Sequence, residues 1–114
     1  MSMLQKVLAA DSAGPAVHRL YEHSGKALAG LVPLAILSPQ DSSVAMVTDL
    51  ALVPVITLHS HVSMNCVISD YVPRSVRGLS RWGMLGVSAA AAIGLTRLAV
   101  SGPGIAGSVK RLWD

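Results

Sequence analysis

The residues with chemistry to offer are gathered in one run: His59, Ser60, His61, Val62, Ser63, Met64, Asn65, Cys66, Val67, Ile68, Ser69, Asp70, Tyr71. Two imidazoles, the chain's one thiol, a carboxylate and a phenol follow each other in that order. The run closes the most apolar stretch of the chain, which begins near Val44. As a single helix, Val44 to Asp70 is about 40 Å long, enough to cross a bilayer with its headgroups. His59 then falls a little past mid-span, in hydrocarbon, and Asp70 and Tyr71 fall at the water boundary. From His59 to Asp70 the helix makes roughly three full turns, so both lie on one face, about 16 Å apart along the axis. An imidazole in lipid with an acid and a phenol above it at the surface reads as a redox site in two storeys.

Each of these groups also has a plainer reading. His59 and His61 are about 200° apart around a helix and cannot ligate one metal from it. In a strand they can, which suggests zinc, but no acid or thiol supplies a third ligand in sequence. A neutral imidazole in lipid suits an axial position on haem iron, with the second ligand coming from elsewhere. It suits equally a hydrogen bond to a neighbouring helix. His61 reads as a packed core histidine, and Cys66, on the His59 face, as a packed thiol. Asp70 and Tyr71 are either a boundary tyrosine beside a loop acid, or a phenol that donates to a carbonyl with the acid exchanging protons. Nothing resembles a nucleophile triad, a phosphate loop or paired glycosidase carboxylates.

The elements that must position these groups follow from composition and breaks. The 114 residues are 52% hydrophobic and 13% charged, with a net charge of +3, far short of the charge that covers a soluble surface. One domain is expected over 1–114: an all-α membrane protein with three transmembrane helices, up-down-up, at roughly 18–38, 44–70 and 79–100, and short N- and C-terminal surface segments. The single cysteine excludes an internal disulfide framework, and no basic run interleaved with aromatics suggests nucleic acid. No long apolar run follows a basic start, so a secretory signal is not expected; residues 3–10 read as a short surface helix or the remnant of a targeting segment.

The apolar core Ala27–Leu37 is too short to span alone. Extended back to His18, it puts Arg19, Glu22 and Lys26 among headgroups or against a partner. Residues 38–43 form a turn in which Asp41, Ser42 and Ser43 offer caps. Asp49 is tolerated near an interface, and Pro54 predicts a bend one turn before His59. Residues 72–81 read as a loop carrying Arg74, Arg77 and Arg81. Trp82 anchors the third helix at an interface, and Gly86, Ala90 and Gly94 form a small-residue stripe. Residues 105–113 read as an amphipathic tail with Trp113 at the membrane surface. Basic residues near the N-terminus and in 72–81 place both on the inner side, with the C-terminus outside.

The stretch from Leu58 to Val72 resembles the signature of the small cytochrome b anchor subunit of mitochondrial succinate dehydrogenase, respiratory complex II. In that family a His-x-His-x-Gly element precedes an Asp-Tyr pair by the interval found here. The resemblance implies that His59 is an axial ligand of haem b and its iron, and that Tyr71 and Asp70 line the ubiquinone site. It implies no catalysis of succinate chemistry by this chain. Implied partners are a large cytochrome b anchor subunit that supplies the second histidine, an iron–sulfur subunit, a flavoprotein subunit and the lipid bilayer. The implied place is the mitochondrial inner membrane, multi-pass, with the N-terminus on the matrix side. Two departures stand out. Ser63 occupies the usual glycine position, where it crowds a porphyrin slightly, and the family's His-Trp-x-x-Glu-Arg element, whose arginine approaches a haem propionate, is absent. Alternatives are a helical anchor without haem, or a structural accessory subunit of another respiratory or transport complex.

Overall fold

Two long apolar runs bounded by prolines, serines and glycines can satisfy their backbone in lipid only as helices. The computed structural model describes residues 2–39 and 42–113, and these are all-helical. A short helix α1 (Met3–Leu8) and a 3₁₀ turn (Ala10–Ser12) lead into α2 (Pro15–Leu37), α3 (Ser43–Tyr71), α4 (Arg74–Ser101) and a last short helix α5 (Ile105–Lys110). α3 is the central element, with α2 on one side and α4 on the other. The 3₁₀ turn packs on α3 towards its C-terminal end, and α5 packs against α2, α3 and α4 at the opposite end.

α3 and α4 are both long and apolar enough to cross a membrane. Their large side chains face outward: Val47, Leu79, Val87 and Ile93 are all more than half exposed. So much uncovered apolar surface is stable only against lipid or another chain. Hydroxyls along these helices fold back on their own backbone: Thr57 donates to the Val53 carbonyl at 2.7 Å, Ser60 to Ile56 at 2.7 Å and Thr96 to Ala92 at 2.7 Å. That disposes of their polarity without water. The longest dimension, 47 Å, is close to the thickness of a bilayer with its headgroups.

Boundaries differ from the sequence expectations where local chemistry extends a helix. α2 starts at Pro15 and not near His18, because Pro15 sits in the first turn, where its missing N–H costs nothing. The expected 72–81 loop is overturned: only Val72 and Pro73 separate α3 from α4, and Arg74, Arg77 and Arg81 are helical. Pro73 is the N-cap of α4, so the ring ends one helix and opens the next. Ser42 caps α3 by accepting from the Ala45 N–H at 3.1 Å; Asp41 lies outside the described residues. α1 is closed by a capping box between Ser2 and Gln5.

The C-terminal tail does not simply lie on a surface. Ala106 and Gly107 are buried, and Ala106 joins Ala35 and Leu52 in the core between α2 and α3. Asp49 explains the docking: its carboxylate, buried in α3, accepts from the Ala106 N–H at 3.3 Å, at the positive end of α5. Gly104 makes the turn possible, with φ +86°, and a β-carbon there would meet Asp49 Oδ2. Gly104→Ala should therefore cost about 1–3 kcal/mol, from a left-handed backbone and a displaced carboxylate together. Thermal stability of the detergent-solubilised protein measures it; Gly30→Ala, where nothing lies within 4 Å of a β-carbon, is the control.

Candidate functional site: an imidazole between α2 and α3

His59 faces α2, where two side chains hold it. Its ring is stacked on Tyr21, with centroids 4.8 Å apart and planes 9° from parallel. Its Nδ1 lies 3.0 Å from Ser24 Oγ. Ser24 uses its single proton on the Tyr21 carbonyl, at 2.6 Å, so it can only accept from His59. The proton is thereby placed on Nδ1, and Nε2 carries the free lone pair. Among the described residues, Nε2 has no hydrogen-bond partner. Ser63, one turn along, is engaged by the Tyr21 hydroxyl at 2.7 Å.

His61 is the opposite case. Its Nε2 donates to the Val7 carbonyl at 2.6 Å, and its Nδ1 accepts from Ser88 Oγ at 2.7 Å. Both nitrogens are engaged inside the chain, and the ring is buried. Neighbouring histidines thus hold opposite tautomers, one with a free nitrogen and one without.

Below His61 a polar stripe runs along α3 at four-residue spacing. Asn65, fully buried, donates to the His61 carbonyl at 2.8 Å. Arg81 of α4 donates to Asn65 Oδ1 at 2.7 Å, to Ser69 Oγ at 2.8 Å and to Asp11 Oδ1 at 3.0 Å, while Ser69 donates to the other Asp11 oxygen. The Arg81 and Asp11 side chains are only 14% and 12% exposed. Sequence reasoning missed Asp11 and left Arg81 in a loop. The 61, 65, 69 spacing of His, Asn and Ser was the available signal for this second, polar face. Removing one partner of such a pair strands the other, so Arg81→Ala should lower stability by about 3 kcal/mol or more. The double variant Arg81→Met/Asp11→Ala should recover part of it, read as the midpoint of thermal unfolding.

Asp70 and Tyr71 stand free at the C-terminal end of α3. Tyr71 is 81% exposed and Asp70 is exposed as well. Arg77 reaches back to this helix end, donating to the carbonyls of Ser69 at 3.3 Å and Val72 at 3.0 Å, which otherwise lack partners. The phenol is about 18 Å from His59 along the helix axis. Cys66 is a half-buried free thiol of the same helix. No group of three metal-ligating side chains occurs among the described residues.

Residues 6–114 match the family model described as CybS, succinate dehydrogenase cytochrome B small subunit. This chain belongs to that family. Among curated relatives, a mitochondrial succinate dehydrogenase [ubiquinone] cytochrome b small subunit of Rattus norvegicus is 34% identical over 87 residues, covering 75% of this chain and 52% of that protein. A protein of the same description from Neurospora crassa is 28% identical over 89 residues, covering 75% of this chain and 54% of its own length. The chain spans about half the length of the curated relatives it matches. No solved structure matches it. Within this CybS chain, the polar stripe and the Tyr21–Ser24–Ser63 cluster are interior contacts, whereas His59 Nε2 and the Asp70 and Tyr71 side chains have no hydrogen-bond partner among the described residues.

Proposed function

We propose that this chain is the small membrane-anchor subunit of a mitochondrial succinate:ubiquinone oxidoreductase, holding one axial position of haem b and part of the ubiquinone site. The observation that carries the proposal is His59, whose Nδ1–H is fixed on Ser24 while Nε2 stays free on a helix that ends in an exposed Asp70–Tyr71 pair. The donor set fits haem: a neutral imidazole with its second nitrogen hydrogen-bonded is the usual ligand arrangement, and the bond strengthens the donor. Haem b, held by His59, would supply a one-electron store. A larger cytochrome b subunit contributes the second histidine.

The residues of this chain then divide the work. His59 presents Nε2, and Ser24 keeps the proton on the far nitrogen. At the inner surface Tyr71 donates its hydroxyl proton to a quinone carbonyl, and Asp70 takes or returns a proton as the quinone is reduced. Electrons arrive from succinate through flavoprotein and iron–sulfur subunits seated over this end, and this chain carries out no succinate chemistry itself. α2 is the third span. Its 23 residues reach about 35 Å, and it lies antiparallel to α3 from Ser24 beside His59 to Ala35 beside Leu52. Arg74, Arg77 and Arg81 at the Tyr71 end support a matrix-side position for it and for the N-terminus.

Co-purification from mitochondrial membranes tests this reading. A complex containing a second cytochrome subunit, an iron–sulfur protein and a flavoprotein, with a b-type band on dithionite reduction, is the expected result. A complex of those subunits without the band would leave an anchor without haem. Association with a transporter or another respiratory enzyme would overturn the assignment altogether.

A further inference from the structure

His59 is held more closely than a hydrogen bond alone requires. One bond, from Nδ1 to Ser24, settles the tautomer but leaves the ring free to swing about that point. Tyr21 removes the remaining freedom, and it acts through three separate groups. Its carbonyl takes the Ser24 proton at 2.6 Å, its ring covers the imidazole face at 4.8 Å between centroids, and its hydroxyl is anchored on Ser63 at 2.7 Å. Ser63 and His59 lie one turn apart on α3, and Tyr21 and Ser24 lie one turn apart on α2. The four residues therefore close a loop between the two helices, with the imidazole inside it.

We propose that Tyr21, anchored by Ser63, is a positioning residue that sets the plane of the His59 ring about its bond to haem iron. This rests on the haem reading above. The angle between the two axial imidazole planes of a ferric bis-histidine haem determines how its d orbitals split, and a ring held by one edge samples a range of angles. A stacked tyrosine tied at its far end narrows that range to one. Ser63 then has a role beyond small size: its hydroxyl is the fixed point on α3 from which the Tyr21 ring is hung.

The test uses the intact, haem-loaded complex and low-temperature EPR of its oxidised form. Tyr21→Phe keeps the ring and deletes the hydroxyl; Ser63→Gly deletes the anchor and keeps Tyr21. Both are expected to retain bis-histidine haem, seen as an unchanged reduced optical band, while the largest-g feature shifts and broadens. The double variant should look like either single one, because both substitutions remove the same bond. Unchanged g values in both single variants would overturn the proposal. So would shifts that simply add in the double variant, since the two groups would then act separately. Failure of the haem reading itself looks different: the unsubstituted complex would give no low-spin bis-histidine signal.

Discussion

Replacement of His59 by alanine is expected to abolish the low-spin b-type spectrum of the complex. On the proposed ligation one of two axial ligands is lost, and no other side chain among the described residues stands ready to take its place. His61, two residues on, points away by about 200° and has both nitrogens engaged by Val7 and Ser88. His61→Ala therefore gives the contrasting result: haem ligation survives. It also leaves the Ser88 hydroxyl and the Val7 carbonyl without their partner, a loss of about 1–3 kcal/mol that loosens the N-terminal segment from α3 and α4. Reduced-minus-oxidised spectra and thermal melts of the two variants, measured side by side, separate the roles. A spectrum that survives the first change and disappears with the second would reverse the assignment.

Tyr71→Phe is expected to lower quinone reduction by about tenfold or more. The substitution keeps the ring and removes only the hydroxyl, which has no hydrogen-bond partner among the described residues. A hydrogen bond to a carbonyl contributes roughly 0.5–1.5 kcal/mol, more where its loss leaves a buried group unpaired. At about 1.4 kcal/mol per factor of ten, the upper part of that range corresponds to the predicted loss. Succinate oxidation with an artificial acceptor that takes electrons upstream of the quinone should stay unchanged, because the proposed function leaves that chemistry to other subunits. Parallel loss of both activities would indicate broken assembly. Full retention of both would make Tyr71 an interfacial tyrosine only.

What could be read from the sequence rests on periodicity and on one spaced motif. The long apolar run closed by His59, Asp70 and Tyr71 forces a helix, because lipid leaves the backbone no other partner. A helix in turn fixes which residues share a face, so His59 and His61 had to point apart. Local rules also put Ser42, with Asp41 and Ser43, among the caps of α3, and Ser42 takes that role.

Other features depend on residues far apart in the chain. Arg81 looked like a loop cation, yet it is helical and paired to Asp11, seventy positions away. Asp49 looked like a charge tolerated near an interface, and it proves to be the anchor for the N-terminus of α5. Ser63 looked like a slightly oversized glycine substitute, and it holds the Tyr21 hydroxyl. Above all, the sequence favoured His59 over His61 for iron only through the resemblance and the apolar span, with no view of either ring's hydrogen-bond partners. Only the packing of α2, α4 and the N-terminal segment around α3 decides which nitrogens are already hydrogen-bonded. An imidazole is available to a ligand when its neighbours leave a lone pair free, and those neighbours arrive from three other helices.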